Sequence, residues 1–444
     1  MNATPRERWS SQMGFTLAAV GSAVGLGNMW RFSYMAAENG GAAFVLLYLG
    51  MTLLLGLPVL LAELTLGRGA RRSPIQALVH YGGRTWRPLG TLFVLTGAVI
   101  LSYYGVIAGW TLRYALEAAW QGFPTEAGQH FNEVVASGWD AVAWHLVFLA
   151  ACAVVVAGGV RRGIERAALV LMPLLALLVV GLAVYAAFQE GAGSGYAYYF
   201  RTDLARSLRM EVVQDAASQA FFSLSLGMGA ILTYASYLER QHDLPRETLL
   251  IAVSDFSVAF VAGLVIFPLL FALGLEAQVM GGGTGTVGAL FVVLPQAFAS
   301  MGVAGTVVGL LFFLALLVGA LTSAVSLLEV VVSSAMDGLG IERRRAAWLC
   351  AIGVAALGVP SALSLSVLGL MDQIGGNLFL VLGGLFLAVF VGWVMPDAIQ
   401  EAATGGRRRG LRLWRALLRT VVPAVLLFVL LHAARKTWTL LVGG

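Results

Sequence analysis

Long apolar stretches, separated by short polar or glycine-rich breaks, follow one another along the whole chain. A helix needs about 20 apolar residues to cross the roughly 30 Å hydrocarbon core of a bilayer. The pattern therefore predicts an all-α integral membrane protein, with about eleven transmembrane helices in one domain over residues 1–444. The predicted helices cover residues 12–37, 42–67, 88–120, 141–158, 164–187, 211–238, 247–274, 306–336, 346–367, 374–396 and 411–434.

Two of the predicted helices are interrupted in the middle by glycine. The first contains Gly25-Leu26-Gly27, and the sixth contains Gly227-Met228-Gly229. Each glycine costs about 1 kcal/mol of helix stability. A break that faced lipid would leave backbone groups unpaired, so such breaks are tolerated where they line a cavity. Close helix packing through small residues is the alternative explanation for a single motif of this kind.

The two interrupted helices lie at matching places in two candidate halves of the chain. The first half covers about residues 12–187, the second covers about 211–396, and an additional helix covers about 411–434. Paired interruptions are typical of inverted-repeat transporters, whose binding site lies near the middle of the membrane. We therefore predict a 5+5 inverted repeat, made of helices 1–5 and 6–10, and favour transport over packing. Gly163 and Pro173 also weaken the fifth helix, because proline removes an amide donor.

Composition excludes a soluble domain. Hydrophobic residues make up 59% of the chain and charged residues 11%, whereas soluble domains carry about 25% charged residues. Cys152 and Cys350 lie singly in apolar helices, so neither a disulfide framework nor a zinc site is indicated. The first apolar stretch is longer than the core of a signal peptide and lacks its cleavage pattern, so we expect it to remain in the mature protein.

Positive charges predict how the chain is oriented, because arginine and lysine stay in cytoplasmic loops. Arginines precede the first predicted helix and follow the even-numbered ones. We therefore expect a multi-pass protein of the bacterial inner membrane, with a cytoplasmic N-terminus and an outside C-terminus. Arg201, Arg206 and Arg209 depart from the pattern. The net charge of +5 reflects topology and does not indicate a nucleic-acid partner. The arginines of the predicted cytoplasmic side are Arg6, Arg8, Arg68, Arg71, Arg72, Arg84, Arg87, Arg161, Arg162, Arg240, Arg246, Arg343, Arg344, Arg345, Arg407, Arg408, Arg409 and Arg412.

Several motifs resemble those of the neurotransmitter:sodium symporter family, above all its bacterial members for leucine and other hydrophobic amino acids. The motifs are Arg6-Glu7-Arg8-Trp9, Gly21 to Phe32 (GSAVGLGNMWRF), Phe221 to Tyr237 (FFSLSLGMGAILTYASY) and Gly319 to Ser323 (GALTS). The resemblance follows helices 1 to 10 in order. It implies a sodium-coupled symporter with two sodium sites and a substrate site between helices 1, 3, 6 and 8.

The resemblance also assigns oxygen ligands to the two sodium ions. Site A would use the carbonyls of Gly21, Val24 and Gly319 with the hydroxyls of Thr322 and Ser323. Bonds from these two hydroxyls to carbonyls of their own helix are the alternative. Site B would use Ala23, Asn28, Ser223 and Asp255 together with the substrate carboxylate.

Two residues of site B depart from the commoner family pattern. Ser223 stands where threonine is frequent, and Asp255 stands where asparagine is frequent. A carboxylate at the centre of a membrane helix costs about 2.5–3.5 kcal/mol and normally faces a partner. Many animal members of the family need chloride to balance the sodium charge. Because Asp255 supplies a negative charge there, we expect transport that does not depend on chloride.

The substrate class is predicted from Gly25, where amine transporters of the family place aspartate. With glycine there, the substrate should bring its own carboxylate. By resemblance this group meets the amides of Leu26 and Gly27 and the Tyr104 hydroxyl, since a helix N-terminus favours an anion. The ammonium would meet carbonyls of Ala23, Phe222 and Ser223 and the hydroxyl of Ser225. The pocket for the substrate side chain would consist of Ile100, Phe222, Met228, Ala324 and Leu327.

This apolar pocket favours larger hydrophobic or aromatic L-amino acids, and methionine adapts to their shapes. Without the resemblance, the same stripe would be interpreted as ordinary core. The resemblance also implies gates. Arg31 and Asp372 would pair on the outer side, above Tyr104 and Phe222. The cytoplasmic side would be closed by Arg6, Trp9, Tyr237, Glu329 and Asp337.

The sequence thus predicts import of neutral amino acids by alternating access between the two sides. The family resemblance implies coupling to two sodium ions. The sequence predicts no organic cofactor. An ion channel would need a continuous polar lining, which the apolar helices do not offer. A sensor that binds amino acids without moving them stays open as the alternative. No nucleophile, base and orienting group occur together, so an enzyme is not indicated. The bilayer and the amino acid are the predicted partners, and the oligomeric state is left undefined.

Overall fold

The computed structural model describes residues 6–202, 209–275, 287, 289–406 and 409–442. Within these ranges the chain is helical, with one isolated β-bridge between Gly41 and Thr202 and no strand. The transmembrane helices are numbered α1 to α11, and two of them, α1 and α6, are interrupted. The nine continuous helices of the described part are α2 (Ala42–Ala70), α3 (Arg84–Gln121), α4 (Trp139–Ala157), α5 (Val160–Ala187), α7 (Leu244–Ala272), α8 (Gly302–Leu339), α9 (Arg343–Leu363), α10 (Leu365–Val394) and α11 (Leu411–Arg435).

The two interrupted helices complete the predicted set. Helix α1 runs over Gln12–Ala23, breaks at Val24, and resumes as Gly27–Arg31 and Phe32–Glu38. Helix α6 consists of Met210–Ser223 and Ala230–Ala235. The prediction of eleven helices with breaks in the first and sixth is therefore confirmed. Of the charges used to predict orientation, Arg206, Arg407 and Arg408 lie outside the described residues.

Helix α10 begins earlier than the sequence predicts. It was expected from residue 374, after a break that contains the charged Asp372. Instead Ser364 caps a helix that starts at Leu365, and its hydroxyl accepts from the Val367 amide. Asp372 is the last residue of this α-helical part, and the wider π-helical segment Gln373–Phe379 follows directly. The charged residue therefore lies within the helix and does not end it.

The break in α6 depends on backbone conformations that favour glycine. Gly227 and Gly229 have φ angles of 78° and 74°, and Ser225 also has a positive φ of 53°. A Cβ atom on Gly227 would lie 2.1 Å from the Leu380 carbonyl oxygen. Because only glycine permits this approach, the unwound segment packs directly on the backbone of α10.

A buried carboxylate on α2 satisfies the backbone amides that the break in α6 exposes. Glu63 accepts from the Gly227 amide at 2.8 Å and from the Leu232 amide at 3.0 Å. Its side chain is fully buried. Amides without an acceptor are costly in lipid, so Glu63 stabilises the unwound form of α6. Its partners could not be identified from the sequence, because α2 and α6 are distant along the chain.

Replacing Glu63 by glutamine should destabilise the fold. Glutamine keeps one acceptor oxygen, places an NH₂ group where the second acceptor stood, and removes the charge that strengthens both bonds. Hydrogen bonds to charged groups contribute about 1.5–3 kcal/mol, so we expect a clear fall in the melting temperature of the detergent-solubilised protein. The exposed Glu239, replaced by glutamine, is the matched control and should melt like the wild type. Equal melting temperatures for both variants would contradict this role.

Helix α5 starts with a wider turn at the position that the sequence marks as weak. Residues Val160–Glu165 are π-helical, and Pro173 lies inside the following α-helix. A Cβ atom on Gly163 would lie 1.9 Å from the Val155 carbonyl oxygen. The buried Glu165 of this turn accepts from the backbone and hydroxyl groups of Ser10 and Ser11. The start of α5 is thereby tied to the start of α1.

Candidate substrate and sodium sites

A cavity lies in the middle of the molecule, between the breaks of α1 and α6 and the facing sides of α3 and α8. Its volume is about 20 Å³, so its walls lie close to one another. Each lining residue lies near the middle of its transmembrane helix, away from both faces of the molecule. The lining residues are Ser22, Ala23, Gly25, Gly27, Asn28, Ile100, Tyr104, Phe222, Ser223, Ser225, Met228, Ser323 and Leu327.

Most residues that the sequence assigned to the substrate line this cavity. The exceptions are Leu26, which lines a neighbouring cavity toward Arg31, and Ala324, which is fully buried on α8 and lines neither cavity. Ser323 faces the cavity from α8 instead. A single residue along a helix turns the side chain by about 100°, which is why the sequence assignment is less certain at this position.

One end of the cavity is formed by the backbone where α1 resumes. The Leu26 amide donates to the Tyr104 hydroxyl oxygen at 3.2 Å. The Gly27 carbonyl accepts from the buried Gln219 side chain at 3.0 Å, a contact not anticipated from the sequence. A Cβ atom on Gly27 would lie 3.0 Å from the Phe222 ring, so the aromatic ring lies against the bare backbone. This arrangement presents amide and hydroxyl donors at a helix start, which suits a carboxylate.

Gly25 has no room for a side chain. A Cβ atom there would lie 2.6 Å from the Ser323 hydroxyl oxygen and 2.8 Å from the Tyr104 hydroxyl oxygen. Both neighbouring groups are buried, and their hydroxyl ends would have to move to admit a Cβ atom. The structure therefore reserves this position for glycine as long as the helices stay in this arrangement.

Three carbonyl oxygens converge on one hydroxyl at predicted site A. The Ser323 hydroxyl lies 3.2 Å from each of the carbonyl oxygens of Gly21, Ser22 and Val24. A hydroxyl has a single proton to donate, so it can satisfy only one of these oxygens at a time. Converging oxygens with too few protons are a suitable environment for a hard cation such as sodium.

The other residues of site A lie beside this group. A Cβ atom on Gly319 would lie 3.7 Å from the Val24 carbonyl oxygen, and one on Gly21 would lie 3.0 Å from Thr322 Cβ. The Thr322 hydroxyl donates within its own helix, to the carbonyls of Val318 and Gly319. The structure thus brings the predicted residues together, and the alternative of a bond within the helix applies to Thr322 in this arrangement.

A buried carboxylate lies at the centre of predicted site B. Asp255 is fully buried, and its Oδ1 atom accepts from Asn28 at 2.6 Å and from Ser223 at 2.8 Å. In the described part of the chain, no arginine, lysine or histidine forms an ion pair with it. An unpaired buried charge is costly, so this group is suited to a cation. Asn28 also accepts from the Gly25 amide at 3.0 Å, which links site B to the break in α1.

Tyr48 belongs to the same cluster and was missed by the sequence analysis. Its hydroxyl lies 2.9 Å from Asp255 Oδ2 and 3.1 Å from the Ser223 hydroxyl oxygen. The side chain is fully buried on α2. A phenol within an otherwise aliphatic segment was the available signal, since a buried tyrosine hydroxyl usually has a polar partner.

Serine hydroxyls form the rest of the polar wall. Ser225 donates to the Ser22 carbonyl at 2.7 Å, and the Ser22 hydroxyl donates to that of Ser326 at 2.7 Å. Ser225 was expected to contact the substrate ammonium, and it lines the cavity. Ser22 and Ser326 are additional members that the sequence did not single out. These bonds hold the unwound parts of α1 and α6 and the middle of α8 together.

The face of the molecule that carries Arg6, called the Arg6 face, is closed by ion pairs and aromatic side chains. Arg6 binds both carboxylate oxygens of Asp337, at 2.8 Å and 3.1 Å, and its guanidinium lies 4.9 Å from the centre of the Tyr237 ring. Trp9 donates to the Tyr234 carbonyl at 3.0 Å. The predicted residues of this gate thus lie together.

A second polar group closes the same face. The buried Glu329 accepts a short hydrogen bond from Tyr237 and forms an ion pair with Arg343 at 2.8 Å. Arg343 also pairs with Glu7 at 2.6 Å. From the sequence, Arg343 had been assigned only to membrane topology. Its position shows that it also joins the start of the chain to α8.

On the opposite face, the direct ion pair between Arg31 and Asp372 that the sequence predicts is absent from the structure. The Arg31 guanidinium instead lies 4.7 Å from the centre of the Phe222 ring and donates to Asn377 at 3.4 Å. Both Arg31 and Asp372 line the two cavities on this side. Stacking on an aromatic face stabilises a guanidinium, which accounts for the difference in this arrangement of the helices.

The fold and this cavity define a membrane transporter, because two interrupted helices enclose a site that polar groups close on one face. The model of a protein family described as "Sodium:neurotransmitter symporter family" matches residues 6–138 and 129–441. An uncharacterized sodium-dependent transporter of Bacillus subtilis, YhdH, is 33% identical over 96% of this chain and 97% of its own length. An uncharacterized sodium-dependent transporter of Methanocaldococcus jannaschii, MJ1319, is 30% identical over 100% of this chain and 94% of its own.

A solved structure agrees with these relatives. The crystal structure of MhsT in complex with L-phenylalanine superimposes with a TM-score of 0.88, at 41% sequence identity. The superposition covers 96% of this chain and 100% of that one. The chain therefore belongs to the sodium:neurotransmitter symporter family, and it is a sodium-dependent, multi-pass membrane transporter. The family resemblance that the sequence predicted is confirmed.

Proposed function

We propose that the protein imports neutral hydrophobic or aromatic L-amino acids together with sodium ions, by alternating access. The observation that carries the proposal is the central cavity, which joins backbone donors at one end to apolar side chains at the other. A free amino acid has both kinds of group. The crystal structure of MhsT with L-phenylalanine supports a ligand of this class.

The polar end of the cavity supports a substrate with its own carboxylate. The amides of Leu26 and Gly27 and the Tyr104 hydroxyl would bind that carboxylate, and Gly25 leaves no room for a protein carboxylate in its place. The substrate ammonium would meet the carbonyls of Ala23, Phe222 and Ser223. An amine without a carboxylate would forgo the favourable bonds that an anion forms at this helix start.

The apolar end supports a large uncharged side chain. Ile100, Phe222, Met228 and Leu327 line it, and none of the lining residues of the cavity is charged. A charged substrate side chain would be desolvated there without a partner. We therefore propose leucine, methionine, phenylalanine or tryptophan as substrates in preference to glycine or basic amino acids.

We propose one sodium ion at site A and a second at site B, where the substrate carboxylate would complete the ligand set. The converging carbonyls at site A and the unpaired Asp255 at site B support this number. In the proposed cycle, bound sodium orders the breaks in α1 and α6, the substrate completes site B, and the helices tilt to open the Arg6 face. The weakened start of α5 would then give water a route to site A.

Uptake should be independent of chloride. Asp255 already supplies a negative charge beside site B, held by Asn28, Ser223 and Tyr48. Replacing all chloride by gluconate should therefore leave the initial rate of sodium-driven uptake in proteoliposomes unchanged. A loss of uptake in gluconate that chloride restores would contradict this part of the proposal.

The Arg6 face would be the cytoplasmic gate, with the N-terminus inside the cell and the C-terminus outside. Two inverted halves, about residues 12–187 and 211–396, would move relative to each other. Arg31, Asp372, Tyr104 and Phe222 would form the outer gate. The arginines that follow the even-numbered helices support this orientation.

Replacing Arg6 by alanine should favour the inward-open state. The variant loses both bonds to Asp337 and those to Ser236. Partly exposed ion pairs contribute about 1 kcal/mol, so we expect the open population to rise roughly fivefold. The measurement is the rate at which a thiol reagent labels a cysteine introduced at Ala18, with Cys152 and Cys350 replaced by alanine. Arg8→Ala, which removes only an exposed pair with Glu239, should leave the labelling rate unchanged.

Equilibrium binding tests the proposed substrate class. Purified protein would be titrated with labelled leucine, phenylalanine, tryptophan, glycine and phenethylamine, first in sodium and then in potassium. We expect binding of the three large amino acids in sodium alone, with weak binding of glycine and none of the amine. Preferred binding of the amine would overturn the substrate assignment.

A further inference from the structure

A basic stripe runs along the start of α11. Arg412, Arg415 and Arg419 are spaced by three and four residues, so they lie on one side of the helix Leu411–Arg419. The adjacent side packs into the protein through Leu411, Trp414 and Leu418. The stripe therefore lies at the edge of the buried side, at the boundary between protein and surroundings.

Two of these arginines converge on one backbone oxygen at the end of α10. The Gly392 carbonyl accepts from Arg419 Nε at 2.7 Å and from Arg415 Nε at 3.2 Å. Arg415 also donates to the Met395 carbonyl at 3.2 Å. A Cβ atom on Gly392 would lie 3.3 Å from Arg419 Cγ, so the glycine lets the side chain lie flat on the helix. Both guanidinium groups are thus held in place by the backbone.

The positive charge of the pair is only partly balanced, because Asp397 attracts Arg415 without forming an ion pair with it. Among the described residues, neither Arg415 nor Arg419 forms an ion pair with an aspartate or glutamate. Each guanidinium has five N–H donors, and most of these have no acceptor in the described part of the chain. Two like charges fixed side by side repel each other, and an anion that bridges them would remove the repulsion.

The surroundings are those of a membrane interface. Trp393, next to Gly392, is 50% exposed. The Trp86 ring packs against Phe390 at 4.9 Å between ring centres, and Arg87 follows directly in the chain. Tryptophan and arginine at the end of membrane helices mark the level of the lipid headgroups. The paired guanidiniums therefore lie where a phospholipid headgroup is available at high local concentration.

We propose that Arg415 and Arg419 form a binding site for the phosphate of an anionic phospholipid. Guanidinium groups match phosphate with paired, charge-assisted hydrogen bonds. Arg412 adds attraction for a headgroup with net negative charge, and each basic residue near the surface contributes to such binding. The bound lipid would join the end of α10 to the start of α11. The arginines that set the membrane topology attract anionic lipids without a defined geometry. Here, by contrast, one carbonyl oxygen holds two arginine side chains in place.

Native mass spectrometry of the detergent-solubilised protein tests the proposal, with phosphatidylglycerol and phosphatidylethanolamine added at equal concentration. We expect the wild type to retain phosphatidylglycerol with at least about tenfold preference. The double variant R415Q/R419Q should lose this preference. The control R344Q/R345Q removes two exposed arginines near the start of α9 and should bind like the wild type. The charge-preserving pair R415K/R419K should bind more weakly than the wild type, because lysine cannot form the paired hydrogen bonds of a guanidinium.

Several results would overturn the site. Unchanged lipid retention in R415Q/R419Q, or an equal loss in R344Q/R345Q, would show that general charge is responsible. Wild-type binding by R415K/R419K would show that the paired guanidinium bonds play no part. If inorganic phosphate displaces the lipid at equal concentration, the site binds free phosphate and the lipid assignment fails. Should R415Q/R419Q not yield folded protein, Arg419→Gln alone, at an exposed position, is compared in the same way.

Discussion

Asp255→Ala is expected to abolish sodium-dependent binding of leucine at sodium concentrations that saturate the wild type. The change removes the charge at the centre of site B and leaves the donors of Asn28, Ser223 and Tyr48 without their acceptor. Removing one partner of a buried charge pair costs about 3–5 kcal/mol. Since 1.4 kcal/mol corresponds to tenfold in affinity, the sodium affinity should fall by about 100-fold or more. Sodium titrations of labelled leucine binding measure this change directly.

Asp140→Ala is the control for this experiment. Asp140 is half exposed and pairs with Arg113 at the start of α4, far along the chain from the cavity. An exposed ion pair contributes little, so its removal should leave the sodium titration unchanged. Size-exclusion profiles of both variants show whether the fold is retained. A folded Asp255→Ala protein with wild-type sodium dependence would exclude site B as an ion site.

Gly25→Asp should have the second-largest effect, the loss of amino-acid binding by about 100-fold or more. The new Cβ atom would lie 2.6 Å from the Ser323 hydroxyl oxygen and 2.8 Å from that of Tyr104. The added carboxylate would also repel the carboxylate of the substrate. Equilibrium binding of labelled leucine and phenylalanine measures the loss.

Alanine variants separate the steric part of this effect from the charge. Gly25→Ala introduces the same Cβ atom without a charge, so binding should weaken by a smaller factor, about tenfold. Gly50→Ala is the matched control, because nothing lies within 4 Å of a Cβ atom at Gly50. Leucine binding by Gly25→Asp that equals the wild type would contradict the proposed place of the substrate carboxylate.

The sequence defined the helices and their breaks because both depend on local composition. Apolar stretches of sufficient length predict membrane helices, and the glycine pairs predict the interruptions. The same reasoning was wrong for the start of α10. There Ser364 caps a helix that continues through Asp372 into a π-helical segment. Local patterns do not distinguish a charged residue in a loop from one within a helix.

The candidate site could be predicted where a family motif covers it. Asn28, Ser223 and Asp255, which the resemblance assigned to site B, contact one another. Contacts between distant segments were not predictable in this way. Tyr48 and Glu63 on α2 bind groups of α6 and α7, and no spacing along the chain indicates such contacts.

Charges at the helix ends were the least predictable part. Arginine side chains are long and can reach several possible partners. Arg31 stacks on Phe222 where a pair with Asp372 was expected. Arg343 joins Glu7 and Glu329 where only a topological role was expected. The partner that an arginine contacts depends on side-chain packing, which the sequence alone does not reveal.

Uptake into proteoliposomes tests the central claim of sodium-coupled amino-acid transport most directly. Protein would be reconstituted in vesicles loaded with potassium, and labelled leucine would be added outside with either sodium or potassium. The proposal predicts accumulation above the outside concentration with an inward sodium gradient, and collapse of that accumulation when an ionophore dissipates the gradient. Sodium-dependent binding of leucine without accumulation would contradict transport and would instead support a sensor.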